Sequence, residues 1–247
     1  MNMKDIVQIP YTTNPKFTPV DNVVFKDYTT DMSEQRQHEF NYLGNEIAYE
    51  SSICQDKRLV KLLSKKIGLT DEPFYDIIEL GLEIPDDVII MHKGRVEAAF
   101  VAMASSWNPS KVKGMTLEEV HQPVADSEML IRASAGIWSA MTSGQSYERY
   151  TWGISPLSTL SNHPNHDKPD FNKLDDLYFR VEHERTITVD KDTAAFFIDV
   201  DVLPLSHIFH LKTEYKILIK DSINSMTENV LLYKNLVKVK ELINESN

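Results

Sequence analysis

The stretch LYFRVEHERTITV, residues 177–189, is followed after a short Asp/Lys turn by TAAFFIDVDV, residues 193–202. Both segments are rich in β-branched and aromatic residues, which is typical of β-strands. We therefore predict two consecutive strands, and the rest of the fold is assigned outward from them.

Extended segments of the same kind lie further upstream. YERYTWGIS, 147–155, predicts a third strand, while DVIIM, 87–91, and VEAAFVAM, 96–103, predict a hairpin with Gly94 in its turn. The region 105–146 between the hairpin and the later strands is irregular, with short helices. The sequence thus predicts five strands, divided two and three by a helical insert.

Amphipathic helical patterns lie on both sides of the strands. Apolar residues recur at helical spacing through 33–67, where we predict two helices broken near Ser51 and Ser52, and a shorter helix follows over 72–82. Runs of helices outside a run of strands favour an α+β fold with an antiparallel sheet. We predict one structural unit with three parts: an N-terminal helical extension (1–84), a sheet core (85–203) and C-terminal helices packing on that core (204–247).

Composition excludes several classes of function. The net charge of −11, with no run of Lys or Arg, argues against a nucleic-acid partner. No apolar run is long enough for a membrane span or a secretory signal, so we expect a cytoplasmic protein. The single cysteine, Cys54, excludes an intrachain disulfide and an all-protein iron–sulfur or cysteine-rich zinc site. Nucleotide-binding and serine-hydrolase motifs are absent from the sequence.

The strand 177–189 carries charges on both of its faces. Alternation of period two puts His183 and Arg185 on the face that is otherwise apolar, and Glu182 and Glu184 on the other face. An unpaired charge buried on an apolar face is costly, so a polar partner must meet His183 and Arg185. That partner is either an internal salt bridge or solvent at a strand end, or else a polar ligand. A β-bulge would reverse this face assignment, which keeps Glu182 and Glu184 as candidates as well.

The stretch KGMTLEEVHQPV, residues 113–124, predicts a very short helix. Thr116 and Glu119 have capping-box spacing, and Pro123 limits the helix to about two turns. His121 shares a face with Leu117, four residues earlier. From these residues alone, His121 is either a packed, hydrogen-bonded side chain or a metal ligand.

Two other histidine pairs give weaker signals. HPNH (His163, His166) lies in a Pro/Asn loop, and HIFH (His207, His210) has helical spacing. Neither has a further ligand at a recognisable metal spacing, which favours surface or capping histidines.

Four blocks of the sequence, taken together, resemble a known family. The blocks are IPDDVIIM (84–91), ASSWNPSKVKGMTLEEVHQPV (104–124), ERYTW (148–152) and RVEHERTITV (180–189). In order they are similar to the acidic strand start, the Ser-x-Trp, Lys-x-Gly and Ile-His-x-Pro-Val motifs, the Arg-x-Asn-Trp motif and the Arg-x-Glu-Arg-Gln-Thr strand of the haem-dependent oxidative N-demethylase family. That family was first catalogued as a domain of unknown function. Here Thr151 stands in place of the family's Asn.

The resemblance implies a PAS-like fold, a five-stranded antiparallel sheet with a helical insert between strands two and three and helical extensions at both termini. In haem-binding PAS domains the haem lies between sheet and insert, and a histidine from a short insert helix is the proximal iron ligand. Carried onto this sequence, that histidine is His121, the expected ligand of haem b iron.

Further roles follow from the same resemblance. The cofactor-binding candidates besides His121 are Lys113, Arg149, Trp152 and Trp107. Among these, Lys113 and Arg149 are expected to meet haem propionates, and Trp152 to form pocket wall. The candidate catalytic residues are Arg185, Glu184, Glu182 and His183. Arg185 is expected to polarise dioxygen or meet a propionate, and Glu182 or Glu184 to pair with an ammonium substrate.

The resemblance also implies an electron-transfer partner. Family members receive electrons from a reductase carrying flavin and a 2Fe–2S cluster. Because this chain has one cysteine, the reductase is expected to be a separate protein, with NADPH as the electron source.

We therefore predict a haem-dependent monooxygenase that uses O2 to oxidise a small nitrogen-containing substrate. One alternative is a PAS-type haem sensor of gas or redox state without turnover. The other is a haem-free PAS-like interaction module in which His121 is simply packed.

Overall fold

The computed structural model describes residues 2–14, 16–54, 58–68 and 74–246. Within these residues, seven strands form one antiparallel sheet in the order β1-β5-β6-β7-β3-β4-β2. The strands are β1 (Thr18–Val20), β2 (Ala48–Glu50), β3 (Asp87–His92), β4 (Arg95–Phe100), β5 (Ser146–Ser155), β6 (Tyr178–Asp190) and β7 (Thr193–Pro204). The α+β class and the antiparallel sheet are thereby confirmed.

The sheet has two strands more than the five predicted. The predicted segments correspond to β3 to β7, whereas β1 and β2 are three-residue edge strands that pair with β5 and β4. Three residues are too few to show alternation in a sequence. Residues 48–50 were predicted to be helical, but Gly44 at φ 51° ends the preceding helix and the next residues pair with Ala98 to Phe100.

Helices flank the sheet in sequence as predicted. They are α1 (Met3–Ile6), α2 (Thr30–Leu43), α3 (Arg58–Ile67), α4 (Ile77–Glu83), α5 (Leu117–His121), α6 (Glu128–Met141), α7 (Leu205–Leu211), α8 (Thr213–Asn224), α9 (Glu228–Tyr233) and α10 (Val237–Glu245). The predicted start of the helix over 72–82 lies outside the described residues, and its described part begins at Ile77 behind the N-cap Asp76. Among the described residues no helix is both long and apolar enough to cross a membrane.

The two faces of the sheet are covered by different helices. The insert face packs against α5 and α6 through an apolar cluster that includes Met91, Leu130, Ile137 and Ala194. The opposite face, the outer face, packs against α2 to α4 beneath β3 and β4, and against α1 and α7 to α10 beneath β5 and β6. The connection from β4 to β5 therefore lies on one side of the sheet and both terminal extensions on the other.

A buried ion pair joins the N-terminal helices to the sheet. Arg36 of α2, with no exposed surface, donates to Asp87 at 2.8 Å and to the carbonyl oxygens of Gly81 and Asp86. Asp87 also accepts hydrogen bonds from the backbone nitrogens of Ala102 and Met103, both at 2.9 Å. These bonds fix the chain where it leaves β4 for the insert.

Candidate functional site

Helix α5 is one short, capped turn. The Thr116 hydroxyl accepts from the backbone nitrogen of Glu119 at 3.3 Å, and the Glu119 carboxylate accepts from the backbone nitrogen of Thr116 at 2.7 Å. The predicted capping box is thus confirmed, and the helix ends at His121, two residues before Pro123. The local sequence fixes the position of His121 at the last helical residue.

The His121 ring is held in one tautomer. Its Nδ1 lies 2.7 Å from the carbonyl oxygen of Leu117, and because a carbonyl can only accept, Nδ1 carries the hydrogen. The lone pair then sits on Nε2, which makes no hydrogen bond to any described residue. Burial lowers the pKa of His121, and the nearby Arg149 lowers it further against the opposing effect of Leu117. The result is a neutral imidazole with a free basic nitrogen, the form that binds iron.

Helix α5 faces an apolar part of the insert face. Leu117 and Val120 pack in one cluster with Met91, Ile89 and Phe196 of the central strands. The side of the sheet beneath His121 is therefore apolar at its centre, and the charged side chains lie around it.

Strands β5 and β6 bring two polar pairs to the insert face. Arg149 lies opposite Glu184 and forms an ion pair with it, and Thr151 lies opposite Glu182 and donates to its carboxylate at 2.8 Å. Burial raises the pKa of Glu184, and Arg149 opposes that shift. None of the ion pairs formed by the described residues includes Glu182. Of the two candidate glutamates, Glu184 forms a direct ion pair, whereas Glu182 interacts only through space with the Arg180 charge.

A flank of aromatic and cationic side chains lies near the other edge of the sheet. Trp107 packs with Ala99 and Val101 beside Tyr49 of β2. The Lys113 ammonium lies 5.6 Å from the centre of the Tyr49 ring, and the Tyr49 hydroxyl is buried without a hydrogen-bond partner among the described residues. An unsatisfied buried hydroxyl next to a cation is a feature that a bound polar group would complete.

A family model described as "Haem-dependent oxidative N-demethylase, alpha subunit-like" matches residues 25–244. The chain belongs to that haem-dependent oxidative N-demethylase family. The match spans most of the chain, including both terminal extensions, and confirms the resemblance carried by the four sequence blocks. No curated protein matches the chain.

The insert face of this N-demethylase family member fits a haem. It offers a neutral histidine with a free Nε2, an apolar surface for the macrocycle, cations at Arg149 and Lys113, and the unpaired Tyr49 hydroxyl. Within the described residues no three His, Cys, Asp or Glu side chains are grouped to hold a metal ion. A haem needs no such group, because the porphyrin supplies four nitrogens and the protein one axial ligand.

Two predicted catalytic residues, His183 and Arg185, lie on the face opposite Glu182 and Glu184. The Nε2 atom of His183 lies 2.7 Å from the Glu148 carboxylate. The His183 ring stacks on the Tyr150 ring, with 4.4 Å between the ring centres. Arg185 forms a buried ion pair with Asp86. Strand β6 keeps a regular register from Tyr178 to Thr188, so no bulge brings them to the side of Glu182 and Glu184. Both side chains belong to the outer face, so the structure does not bring them together with Glu182, Glu184 and His121.

Trp152, predicted as a cofactor-binding residue, also lies on the outer face. Its ring is 5% exposed and packs on Phe179 and Tyr11, within the cluster formed with the C-terminal helices. Alternation along β5 puts Trp152 on the outer face, because Arg149 and Thr151 point to the insert face. The structure thus places Trp152 in the core beneath the C-terminal helices.

Arg180 was not among the predicted site residues, although it precedes Glu182 by two and shares its face. It is 4% exposed and donates to the Ser105 hydroxyl and to the carbonyl oxygens of Thr159 and Met103. Burial lowers the pKa of Arg180, and the Glu182 charge opposes that shift. The hydrogen-bond partners of Arg180 are neutral. Its positive charge is therefore balanced by two carboxylates that it does not contact, those of Glu182 and Asp87. The Arg-x-Glu start of the fourth block was the signal for it.

The weaker histidine pairs have local partners. His166 lies 2.7 Å from Glu39 of α2, and His210 lies 2.6 Å from the carbonyl oxygen of Ser206, one turn earlier in α7. His163 is buried next to His166, with ring centres 6.4 Å apart. These contacts lie away from α5 and are not assigned to the site.

Proposed function

We propose that this protein is a haem-dependent monooxygenase that oxidises a small nitrogen-containing substrate, in the manner its family name describes. The observation that carries the proposal is His121, which ends a capped helix over an apolar face with Nδ1 bonded and Nε2 free. That arrangement orients a proximal ligand and raises its basicity. Haem, when bound, supplies the redox chemistry with dioxygen that side chains cannot perform.

We further propose a PAS-like arrangement with the haem between insert and sheet. The order β4-β3-β7-β6-β5 of the five central strands supports it, as does the packing of α5 and α6 on one face. The cofactor is proposed to be haem b, since the chain has one cysteine and covalent c-type attachment uses two.

The side chains around His121 have separable roles in this proposal. Lys113 would attract the propionates, which leave one edge of the macrocycle, and Trp107 would form a wall of the pocket, while Arg149 lies toward the opposite edge of the sheet, paired with Glu184. Glu182 would accept hydrogen bonds from an ammonium substrate, because its charge has no direct cationic partner among the described residues, whereas Arg149 neutralises Glu184. Thr151 would hold the Glu182 carboxylate in position.

An electron donor is part of the proposal. We infer a separate reductase with flavin and a 2Fe–2S cluster, fed by NADPH, because one cysteine cannot ligate the cluster. The net charge of −11 would favour a basic docking surface on that partner.

Two measurements on the purified protein test the proposal. Protein expressed with added haem is expected to show a Soret band. The absence of that band would exclude every haem-dependent function. Holoprotein with a surrogate reductase and NADPH is then offered a panel of methylated amines and hydroxylamines, and we expect substrate-dependent release of formaldehyde. A Soret band without product from any compound would instead favour the sensor, which needs the same pocket without turnover.

A further inference from the structure

Tyr49 carries a buried donor that no described residue satisfies. It lies at the centre of β2, opposite Ala99, and its ring packs with Ile89 and Trp107 on the insert face. Its hydroxyl is buried and makes no hydrogen bond to the described part of the chain. Buried tyrosine hydroxyls are normally paired, because leaving one unpaired forfeits its hydration without replacement.

The phenol is in its donor form. Burial raises the pKa of Tyr49, and the negative charge of neighbouring Glu97 raises it further. The hydroxyl therefore keeps its hydrogen throughout the neutral range and can donate it to an acceptor. Glu97 is close enough to act through space but does not accept this hydrogen bond.

A cation beside the phenol indicates the charge of that acceptor. The Lys113 ammonium lies 5.6 Å from the Tyr49 ring centre, on the loop just before α5. Its side chain is exposed, so this flank of the insert face opens to solvent, while the Tyr49 hydroxyl is closed off. A donor on the buried side and a cation on the solvent side suit one carboxylate lying between them.

We propose that the Tyr49 hydroxyl donates a hydrogen bond to a propionate carboxylate of the bound haem, next to the Lys113 ammonium. Tyr49 and Leu117 of α5 belong to the same apolar cluster, which puts the phenol on the flank of the helix that carries His121. This inference rests on the proposed function, since it names a contact to the same cofactor. It makes Tyr49 a cofactor-binding residue that no sequence block identified.

Replacing the phenol by phenylalanine has opposite effects on the empty and the loaded protein. Without haem, Tyr49→Phe removes an unpaired buried hydroxyl, so the variant is expected to be at least as resistant to urea as the natural protein. With haem, loss of a hydrogen bond to a charged group is expected to weaken affinity by roughly 10- to 100-fold. The matched control is Tyr28→Phe, because the Tyr28 hydroxyl donates to the Leu82 carbonyl oxygen at 2.8 Å. That control is expected to lose stability and to keep its haem affinity.

Haem dimethyl ester, in which both propionates are esterified, identifies the contact. Titrations followed at the Soret band compare haem with its ester for the natural protein and for Tyr49→Phe. We expect the variant to lose affinity for haem and to lose less affinity for the ester, whose carbonyl oxygens still accept a hydrogen bond but carry no charge. An equal loss for both ligands, or no loss for either, would overturn the assignment, and so would a destabilised empty Tyr49→Phe protein, since that would mean a protein partner for the hydroxyl.

These outcomes are distinct from failure of the proposed function. If the natural protein binds no haem, both the proposed haem-dependent activity and the proposed Tyr49 contact are overturned. If the natural protein binds haem and Tyr49→Phe binds it equally well, only the Tyr49 contact is overturned.

Discussion

Arg149 of β5 and Glu184 of β6 lie directly opposite each other and form a buried ion pair on the insert face. Glu184 is 6% exposed, so its negative charge depends on the guanidinium for compensation. One pair further along the same strands, Glu182 accepts from the Thr151 hydroxyl and forms no ion pair with a described residue, although the Arg180 charge acts on it through space. The two glutamates, equivalent in sequence, therefore differ in the charge they present to a ligand.

Removing the cation of the first pair is expected to destabilise the protein strongly. Arg149→Met leaves Glu184 buried and uncompensated, which costs about 3–5 kcal/mol in the free energy of unfolding. The double variant Arg149→Met with Glu184→Leu is expected to recover most of that loss, because no charge then remains buried. Urea denaturation of the haem-free protein measures both, with the exposed Arg132→Met as control. A loss below about 1 kcal/mol would contradict a buried pair.

The iron ligand is tested by replacing His121. His121→Gly is expected to lose the Soret spectrum of the natural protein, and added imidazole is expected to restore it, because free imidazole occupies the vacated position. His207→Gly, at an exposed position in α7, serves as the matched control. An unchanged spectrum in His121→Gly would remove His121 from the site.

Substrate recognition is tested by the two glutamates side by side. Glu182→Gln is expected to raise KM for a cationic amine roughly 10- to 100-fold, since a charge-assisted hydrogen bond is lost, and to change kcat less. Thr151→Val is expected to raise KM by a smaller factor through loss of carboxylate positioning. Glu184→Gln leaves the Arg149 cation uncompensated, so that variant is expected to lose stability, and the exposed Glu128→Gln is the control expected to leave KM unchanged. An unchanged KM in Glu182→Gln would remove Glu182 from the ammonium contact.

A buried carboxyl on the outer face makes stability depend on pH. Burial raises the pKa of Asp86 to about 7, although Arg185 acts to lower it. The folded protein thus holds this proton more tightly than the unfolded chain, so the stabilising contribution is complete below about pH 4 and is lost as the pH rises through about 7. Relative to Asp86→Asn, the natural protein is expected to lose stability over that range, by at most about 1.4 kcal/mol per pH unit.

Urea midpoints measured at several pH values check this dependence on Asp86. The exposed Asp170→Asn serves as control and is expected to follow the natural protein. Parallel pH profiles for Asp86→Asn and the natural protein would show that Asp86 titrates normally.

The proposed single structural unit is tested at Arg36. Arg36→Ala leaves Asp87 buried without its cation and is expected to cost about 3–5 kcal/mol, while unfolding stays a single transition. The neighbouring exposed Gln37→Ala is the control. Separate transitions for helix content and for tryptophan fluorescence would divide the chain near residue 84 instead.

Much of the fold is readable from local patterns. Strands β3 to β7 and the capping box of α5 follow from alternation, turn residues and the spacing of Thr116 and Glu119, each of which acts over a few neighbouring residues. The short edge strand β2 was missed, because its three residues are extended only through pairing with β4. Tyr49 was missed as a site residue for the same reason.

The sequence by itself determined that Glu182 and Glu184 lie on one face of β6 and that His183 and Arg185 lie on the other, since alternation is a property of the extended backbone. It also determined the family, through motifs spread along the chain. Only the tertiary structure decided which face of β6 meets α5 and α6. That choice depends on the packing of elements that are distant in the sequence. Packing puts Glu148 beside His183 and Asp86 beside Arg185 on the outer face. It leaves Glu182, Glu184 and Arg149 on the insert face, the side of His121.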